Sequence, residues 1–377
     1  MTGLYIHIPF CVHKCSYCDF VSYVCDQTVR EEYVQSLICE IRMAGEIYRD
    51  RAINTVFLGG GTPCILLPAQ TKRIMCALRD SFNIRVDAEI TVECNPGAVD
   101  SEKLNAYSEC GINRLSFGLQ SASDRLLKAI SRIHTFSDFI QSIEHAKRAG
   151  FSNINADIMY GLPSQSISEL TETISAVCEM RLAHVSAYSL IVEENTPLYS
   201  SLMCGSIALP DEDTEYEMHT LCQKKLESAG YRRYEISNYA KQDMECRHNL
   251  IYWNSDEYIG LGANAHSAVW ERGVWTRYEN FSSIGDYVSA VREGRLPIVR
   301  REHLWGYDAQ AEYVMLGLRK TDGFLLSDFE DRFSEKFDTV FGERLERVEK
   351  SLYVKNERFY LTDRGLDLQN MILCELL

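Results

Sequence analysis

The sequence predicts an α/β fold, with parallel strands and helices packed outside them. Two observations carry this. Short apolar runs alternate six times with amphipathic stretches before about residue 230. Such alternation makes neighbouring strands parallel, joined by right-handed crossovers. The ends of successive runs then carry polar residues or glycine: Cys11, Cys15 and Cys18, then Gly59 to Thr62, Glu93, Gln120 and Asp157. A core would prefer apolar strand ends, whereas the carboxyl-terminal rim of a parallel sheet is where ligands bind. Both a doubly wound sheet and a barrel satisfy the pattern.

The elements follow in order. Leu4 to Ile8 reads as a buried strand, which Pro9 ends because it has no amide proton for a ladder. Residues 28–48 read as a helix, with Val34, Leu37, Ile38, Ile41 and Ile47 near helical spacing. Residues 55–58 form a strand, and the glycine run 59–61 after it lets backbone amides approach a ligand. Residues 68–82 are helical. Residues 89–93 alternate as a strand does and end in a carboxylate. A short helix at 101–109 stops at Gly111, and 114–117 is the next strand. Helices at 124–130 and 136–149 flank a loop holding Arg132. Residues 154–157 and 184–190 are strands, and 168–179 and 211–229 are helices.

The chemistry starts in the first loop, where Cys11, Cys15 and Cys18 are spaced C-x3-C-x2-C. Three thiols on one tight loop can face a single centre, and thiolates suit iron–sulfur clusters or zinc. Four irons held by three cysteines leave one iron open for a ligand. The remaining cysteines of the 14 are scattered singly. A closed zinc site would need a fourth ligand, and His13 would have to fold back into its own loop to supply it.

This spacing, with Tyr17 just before the last cysteine, resembles the radical S-adenosylmethionine (SAM) superfamily. Residues 5–20 more narrowly resemble the branch holding the oxygen-independent coproporphyrinogen III oxidases and the HemW haem chaperones. The resemblance implies a partial (β/α)6 TIM-like barrel. It implies a [4Fe–4S] cluster on Cys11, Cys15 and Cys18, whose open iron is chelated by the amino and carboxylate groups of SAM. It implies Gly60, Gly61 and Thr62 at the amino end of SAM. Tyr5, Glu93, Gln120, Arg132 and Asp157 are its further SAM-contact positions.

A second signal is the polar-aromatic stretch 245–253. On chemistry alone it reads as a packed aromatic corner with a hydrogen-bonded histidine. It is also similar to the H-N-x-x-Y-W motif of the HemW family, which is tied there to haem binding. That implies His248 as a haem ligand, with Tyr252 and Trp253 beside it. Residues 258–267 resemble the family's G-L-G-A-x-A-H-S run and read as backbone close to the site.

Three regions are expected: a core at 1–230, a family-specific region at 231–295, and a helical, winged-helix-like domain at 300–377. Modules of that last kind often bind DNA. Here residues 300–377 hold 12 Lys/Arg against 16 Asp/Glu, so a lid or packing role is expected instead.

Hydrophobic residues at 46% and charged ones at 25% are ordinary for a soluble globular protein. No apolar run is long enough to span a bilayer, and no signal peptide is expected, which leaves peripheral membrane contact compatible. Many single cysteines point to the reducing cytoplasm. A net charge of −15 opposes non-specific binding to nucleic acid.

The implied function is a HemW-type protein that binds haem and passes it to an acceptor protein. A reductant such as flavodoxin or ferredoxin would drive cleavage of SAM to methionine and a 5′-deoxyadenosyl radical. The alternative is an oxygen-independent coproporphyrinogen III oxidase. Against it, that enzyme has a further cysteine where this chain has Phe20, and a long segment ahead of its first strand. A third reading, a metal-binding DNA regulator, is opposed by the acidic balance.

Overall fold

The computed structural model describes residues 1–377. All six expected strands are present: β1 (Thr2–Ile8), β2 (Ala52–Gly60), β3 (Asn83–Cys94), β4 (Arg114–Gln120), β5 (Asn153–Tyr160) and β6 (His184–Ser189). They lie side by side in chain order, each parallel to the next. Sequential order is the winding of a barrel, since a doubly wound sheet reverses at a switch point. The sheet stays open, because β1 and β6 each pair onward with other strands.

The connecting helices are α1 (Gln27–Tyr48), α2 (Pro68–Ser81), α3 (Ser101–Glu109), α4 (Asp124–Ala129), α5 (Phe136–Arg148) and α6 (Ile167–Glu179). Their starts are legible in side-chain caps. Asp26 accepts from the amides of Thr28 and Val29, and Thr135 with Asp138 and Ser166 with Glu169 form capping boxes. Two further helices, α7 (Pro197–Met203) and α8 (Glu212–Ser228), follow β6. The sequence reading missed α7, although Thr196 caps it and Pro197 opens it.

The two sheet faces differ chemically. Leu4, Ile6, Ile8, Val56, Leu58, Ile90, Val92, Leu115 and Phe117 face the helices and belong to the main core. On the concave face, ladder partners run Gly3–Thr55–Glu89, Tyr5–Phe57–Thr91–Arg114 and Glu93–Ser116–Asn155–His184. This lumen is polar and hydrogen-bonded. Asn155 Nδ2 donates to Ser116 Oγ (2.8 Å) and Asp157 Oδ1 (2.7 Å), and His184 shares hydrogen bonds with Asn155 Oδ1 (2.6 Å) and the Tyr234 hydroxyl (2.8 Å).

Residues beyond 230 extend both sheet edges. The short strands β7 (Arg232–Arg233) and β8 (Asn238–Ala240) add to β6. The stretch read as an aperiodic aromatic corner is a two-turn helix, α9 (Arg247–Trp253), set against the lumen residues Gly3 and Thr55. After it, β9 (Glu257–Leu261) pairs in parallel with β1. The strands β10 (His266–Glu271), β11 (Val274–Asn280) and β12 (Ile298–Leu304) continue antiparallel, with α10 (Ile284–Arg292) before β12.

A separate core follows in α11 (Gly306–Gly317), β13 (Phe324–Leu325), α12 (Leu326–Phe333), α13 (Phe337–Leu345), β14 (Tyr353–Lys355), β15 (Arg358–Leu361), α14 (Asp363–Asp367) and α15 (Gln369–Leu376). Phe324, Phe329, Phe337, Phe341 and Phe359 fill it. The three-stranded sheet β13-β15-β14 and its helices match the winged-helix-like expectation.

Candidate functional site

Ten expected residues meet in one cavity of about 430 Å³ at the carboxyl-terminal rim: Cys11, Cys15, Cys18, Gly60, Gly61, Thr62, Glu93, Gln120, Arg132 and Asp157. Pro9 ends β1, and the cysteine loop is pinned at its base by Tyr23 N–H to Pro9 O (2.8 Å) and Cys11 N–H to Tyr23 O (3.0 Å). A polar arc then joins the thiols to the strand ends. Thr62 Oγ1 donates to Cys11 Sγ (3.4 Å) and accepts from Asn95 Nδ2 (3.1 Å). Arg132 donates to Asn95 Oδ1 (3.0 Å), the Gly118 carbonyl (2.6 Å) and Cys15 Sγ (3.6 Å).

The glycine run works differently from the expectation of free amides. Gly60 N–H donates to Glu93 Oε2 (3.1 Å), Gly61 N–H to Ile8 O (2.9 Å) and Thr62 N–H to Phe10 O (2.7 Å). These amides are used inside the protein, so what they leave a ligand is carbonyl oxygen, the right sign for an ammonium group. Glycine is required here by close approach. A Cβ on Gly60, whose φ is +108°, would lie 2.6 Å from the His7 ring. Gln120 also has a positive φ of 70°, at a register shift between β4 and β5. Such strain re-aims a side chain at a functional rim; Tyr188 OH donates to Gln120 Oε1 (3.2 Å).

Glu93 and Asp157 are two half-buried carboxylates facing one cavity. Burial pushes Glu93 up to about 8, helped by the charge of Asp157, while the Gly60 amide and Arg114 oppose the rise. Burial also raises Asp157, against hydrogen bonds from Ser186 and Asn155. Burial raises the Cys18 thiol too.

Tyr5 lies beneath the cavity. Its hydroxyl shares a hydrogen bond with His7 Nδ1 (3.1 Å), and its ring stacks on Phe57 at 6.2 Å. Burial lowers His7 to about 4, so it is neutral at physiological pH. His248 and Tyr252 do not reach the cavity. His248 is 1% exposed, and its ring nitrogens are engaged by Thr55 Oγ1 (2.7 Å) and the Tyr252 hydroxyl (2.9 Å). Burial, with Arg114 nearby, lowers it to about 3. Trp253 faces elsewhere, into a wider cleft of about 930 Å³ between α9 and the carboxyl-terminal unit. That cleft is larger, but it holds no thiol, and Arg358 and Asp322 of its lining pair with each other. The thiols and half-buried carboxylates are in the smaller cavity.

Asn95, Ser116 and Tyr188 also line the rim cavity, and the sequence reading did not name them as site residues. The signal for Asn95 was its place two residues after Glu93.

A model of the radical SAM superfamily matches residues 5–177, and a model of the HemN C-terminal domain matches residues 308–368. The heme chaperone HemW of Bacillus subtilis (strain 168) is 37% identical over 377 residues, covering 99% of this chain and 98% of that protein. HemW of Lactococcus lactis subsp. lactis is 34% identical, covering 98% and 95%. The chain belongs to the HemW family of radical SAM proteins. Escherichia coli coproporphyrinogen III oxidase (HemN), described as a radical SAM enzyme, superposes with a TM-score of 0.86 over 100% of this chain and 90% of its own. At 24% identity that likeness establishes the fold alone. In this HemW-family chain the cysteine loop and the ten expected rim residues fall within the radical SAM span, Tyr188 of the cavity lies just beyond it, and α9 falls between the two matched spans.

Proposed function

We propose that the chain is a cytosolic haem chaperone: it holds a [4Fe–4S] cluster and SAM at the rim, binds haem, and delivers it to an acceptor protein. The reading is carried by full-length likeness to relatives named heme chaperone HemW, together with three thiols and two carboxylates in one cavity.

The residues present fit the implied groups. Cys11, Cys15 and Cys18 would hold the cluster. No three His, Cys, Asp or Glu side chains converge on a single-ion position. SAM carries a sulfonium and an ammonium, and Glu93 with Asp157 offers the opposing charge. Arg132 Nε is buried without a partner, a donor left for a carboxylate. A cluster held by Cys11, Cys15 and Cys18 would supply one-electron reductive cleavage of the SAM sulfonium, the electron coming from a flavodoxin or ferredoxin.

The protein's own contributions are positional. Thr62 and Arg132 donate to two of the three sulfurs, orienting them and offsetting thiolate charge. Gly60 and Gly61 let β2 close on the cysteine loop. In this reading residues 1–230 form the cofactor core, 231–295 the family-specific region and 300–377 a packing lid. His248 presents no free nitrogen to haem as folded, so no haem step is drawn through it.

The test is anaerobic reconstitution of the whole chain. About four irons and four sulfides per chain, reductive SAM cleavage and saturable haem binding are expected. All cluster signal should vanish when the three cysteines become serine. A cubane signal that survives those substitutions, or conversion of coproporphyrinogen to protoporphyrinogen, would overturn the reading.

A further inference from the structure

We propose that His248 is a positioning residue and not a ligand to haem iron: α9 is a strut beneath the SAM cavity, and the imidazole is its upper bearing. This rests on reading the rim cavity as the SAM site.

An iron ligand needs a nitrogen lone pair facing a space that admits a macrocycle. His248 is 1% exposed, with Thr55 on Nδ1 and Tyr252 on Nε2. It lines neither the rim cavity nor the wider cleft. Its ring stacks on Phe57 at 5.1 Å and lies 6.4 Å from Tyr5. Space for it is made by Gly3, where a Cβ would sit 3.1 Å from the imidazole. The helix is seated by Glu89 of β3, which accepts the backbone N–H of Arg247 and of His248, each at 3.1 Å.

From this bearing two contact chains rise to the rim. Phe57 packs where a Gly59 Cβ would be (2.8 Å), beside the Glu93 carboxylate that takes the Gly60 amide. Tyr5 bonds His7, whose ring fills the space over Gly60. At its other end α9 is tied to the carboxyl-terminal unit. Arg319 lies over the Trp253 ring at 4.4 Å, and Lys320 Nζ donates to Asn254 Oδ1 (2.5 Å). The H-N-x-x-Y-W stretch thus spans from the lumen below the SAM cavity to the carboxyl-terminal unit.

The experiment uses the reconstituted full chain with two variants, His248→Ala and Thr55→Val. SAM affinity is read from the change SAM causes in the electron paramagnetic resonance of the reduced cluster. Haem is titrated separately by its absorption and its own resonance. Both variants should weaken SAM binding about fivefold or more, the scale of one lost buried hydrogen bond. Both should keep the wild-type Soret maximum and bind haem within about twofold of wild type. Loss of an imidazole-ligated haem spectrum in His248→Ala overturns the proposal, as does unchanged SAM affinity in Thr55→Val. Should His248→Ala fail to fold, Thr55→Val, which keeps the imidazole, decides. Should the wild type bind no SAM, the functional reading fails instead, and the haem spectra of His248→Ala still decide this proposal.

Discussion

The Arg132 guanidinium lies 3.6 Å from Cys15 Sγ, while its other terminal nitrogen is fixed by Asn95 and the Gly118 carbonyl. With Cys15 as a ligand of the proposed cluster, a cation held this close would stabilise the reduced, more negative cluster and so raise its potential. Arg132→Met should therefore lower the midpoint potential by tens of millivolts and weaken SAM binding about tenfold, since a charge-assisted donor is lost as well. Redox titration followed by electron paramagnetic resonance measures the first effect and equilibrium SAM titration the second. An unchanged potential would place the guanidinium outside the cluster's field.

With the rim cavity as the proposed SAM site, Glu93 would give SAM binding a pH dependence of definite sign. Burial and Asp157 hold its pKa at about 8, so at pH 6 to 7 the carboxyl is protonated. A cationic ligand favours the ionised form, and binding must release that proton. Affinity should rise up to about tenfold per pH unit between pH 6 and 8, then level off. Glu93→Gln should flatten the profile and weaken binding at pH 8. Titrations at fixed ionic strength across that range test this.

A second buried carboxyl controls stability and not binding. Glu40 of α1 accepts from Gly262 N–H (2.7 Å) and Asn280 Nδ2 (2.7 Å), and from the Tyr287 hydroxyl, with no cation opposite. Burial pushes it up to about 7 in spite of those three donors. A carboxyl whose folded pKa is raised stabilises the fold below its unfolded value near 4.5. That stability is lost as pH rises through 7. The loss is on the order of 3 kcal/mol for a shift of this size. The melting temperature should fall from pH 5 to 8, and Glu40→Gln, which keeps the shape without the charge, should remove most of that slope.

The rim was legible because glycine or a polar residue stands at or near the end of each strand: Gly60 and Gln120 close β2 and β4, Glu93 is next to last in β3, and Asp157 lies three residues before the end of β5. The lumen below was written in the same strands but was harder to read. Parallel strands buried on both faces normally appear as continuous apolar runs. Here Glu89-Ile-Thr-Val-Glu93 and His184-Val-Ser-Ala-Tyr188 alternate, since the inner face carries hydrogen-bonded polar groups. That alternation marked a buried polar interior, although alternation is ordinarily taken to mean a solvent face. The placement of α9 could not be read at all. Seven residues are too few for helical periodicity to show, and its seat depends on Glu89 and Thr55, more than 150 residues away in sequence.

The contact between the carboxyl-terminal unit and the sheet supplies the last prediction. Arg332 of α12 lies within 5.2 Å of the ring centroids of Trp270, Trp275 and Tyr313, and its guanidinium donates to the Ser255 carbonyl at 2.8 Å. The two tryptophans belong to β10 and β11 of the main sheet, and Ser255 follows α9, so one side chain joins three parts of the chain. Partly desolvated cation–aromatic contacts contribute about 2 kcal/mol, and a buried carbonyl stripped of its charged donor adds a comparable cost. Arg332→Ala should therefore loosen the unit without unfolding its core, which meets the guanidinium only at Tyr313 and the edge ring Phe333. Hydrogen exchange should speed up across α9 and the β10–β11 hairpin while the amides of α13 stay protected. Arg332→Lys should recover only part of the protection, because an ammonium cannot lie flat against three rings and still reach the carbonyl. Protection lost equally in α13 would mean that Arg332 serves the core and not the junction.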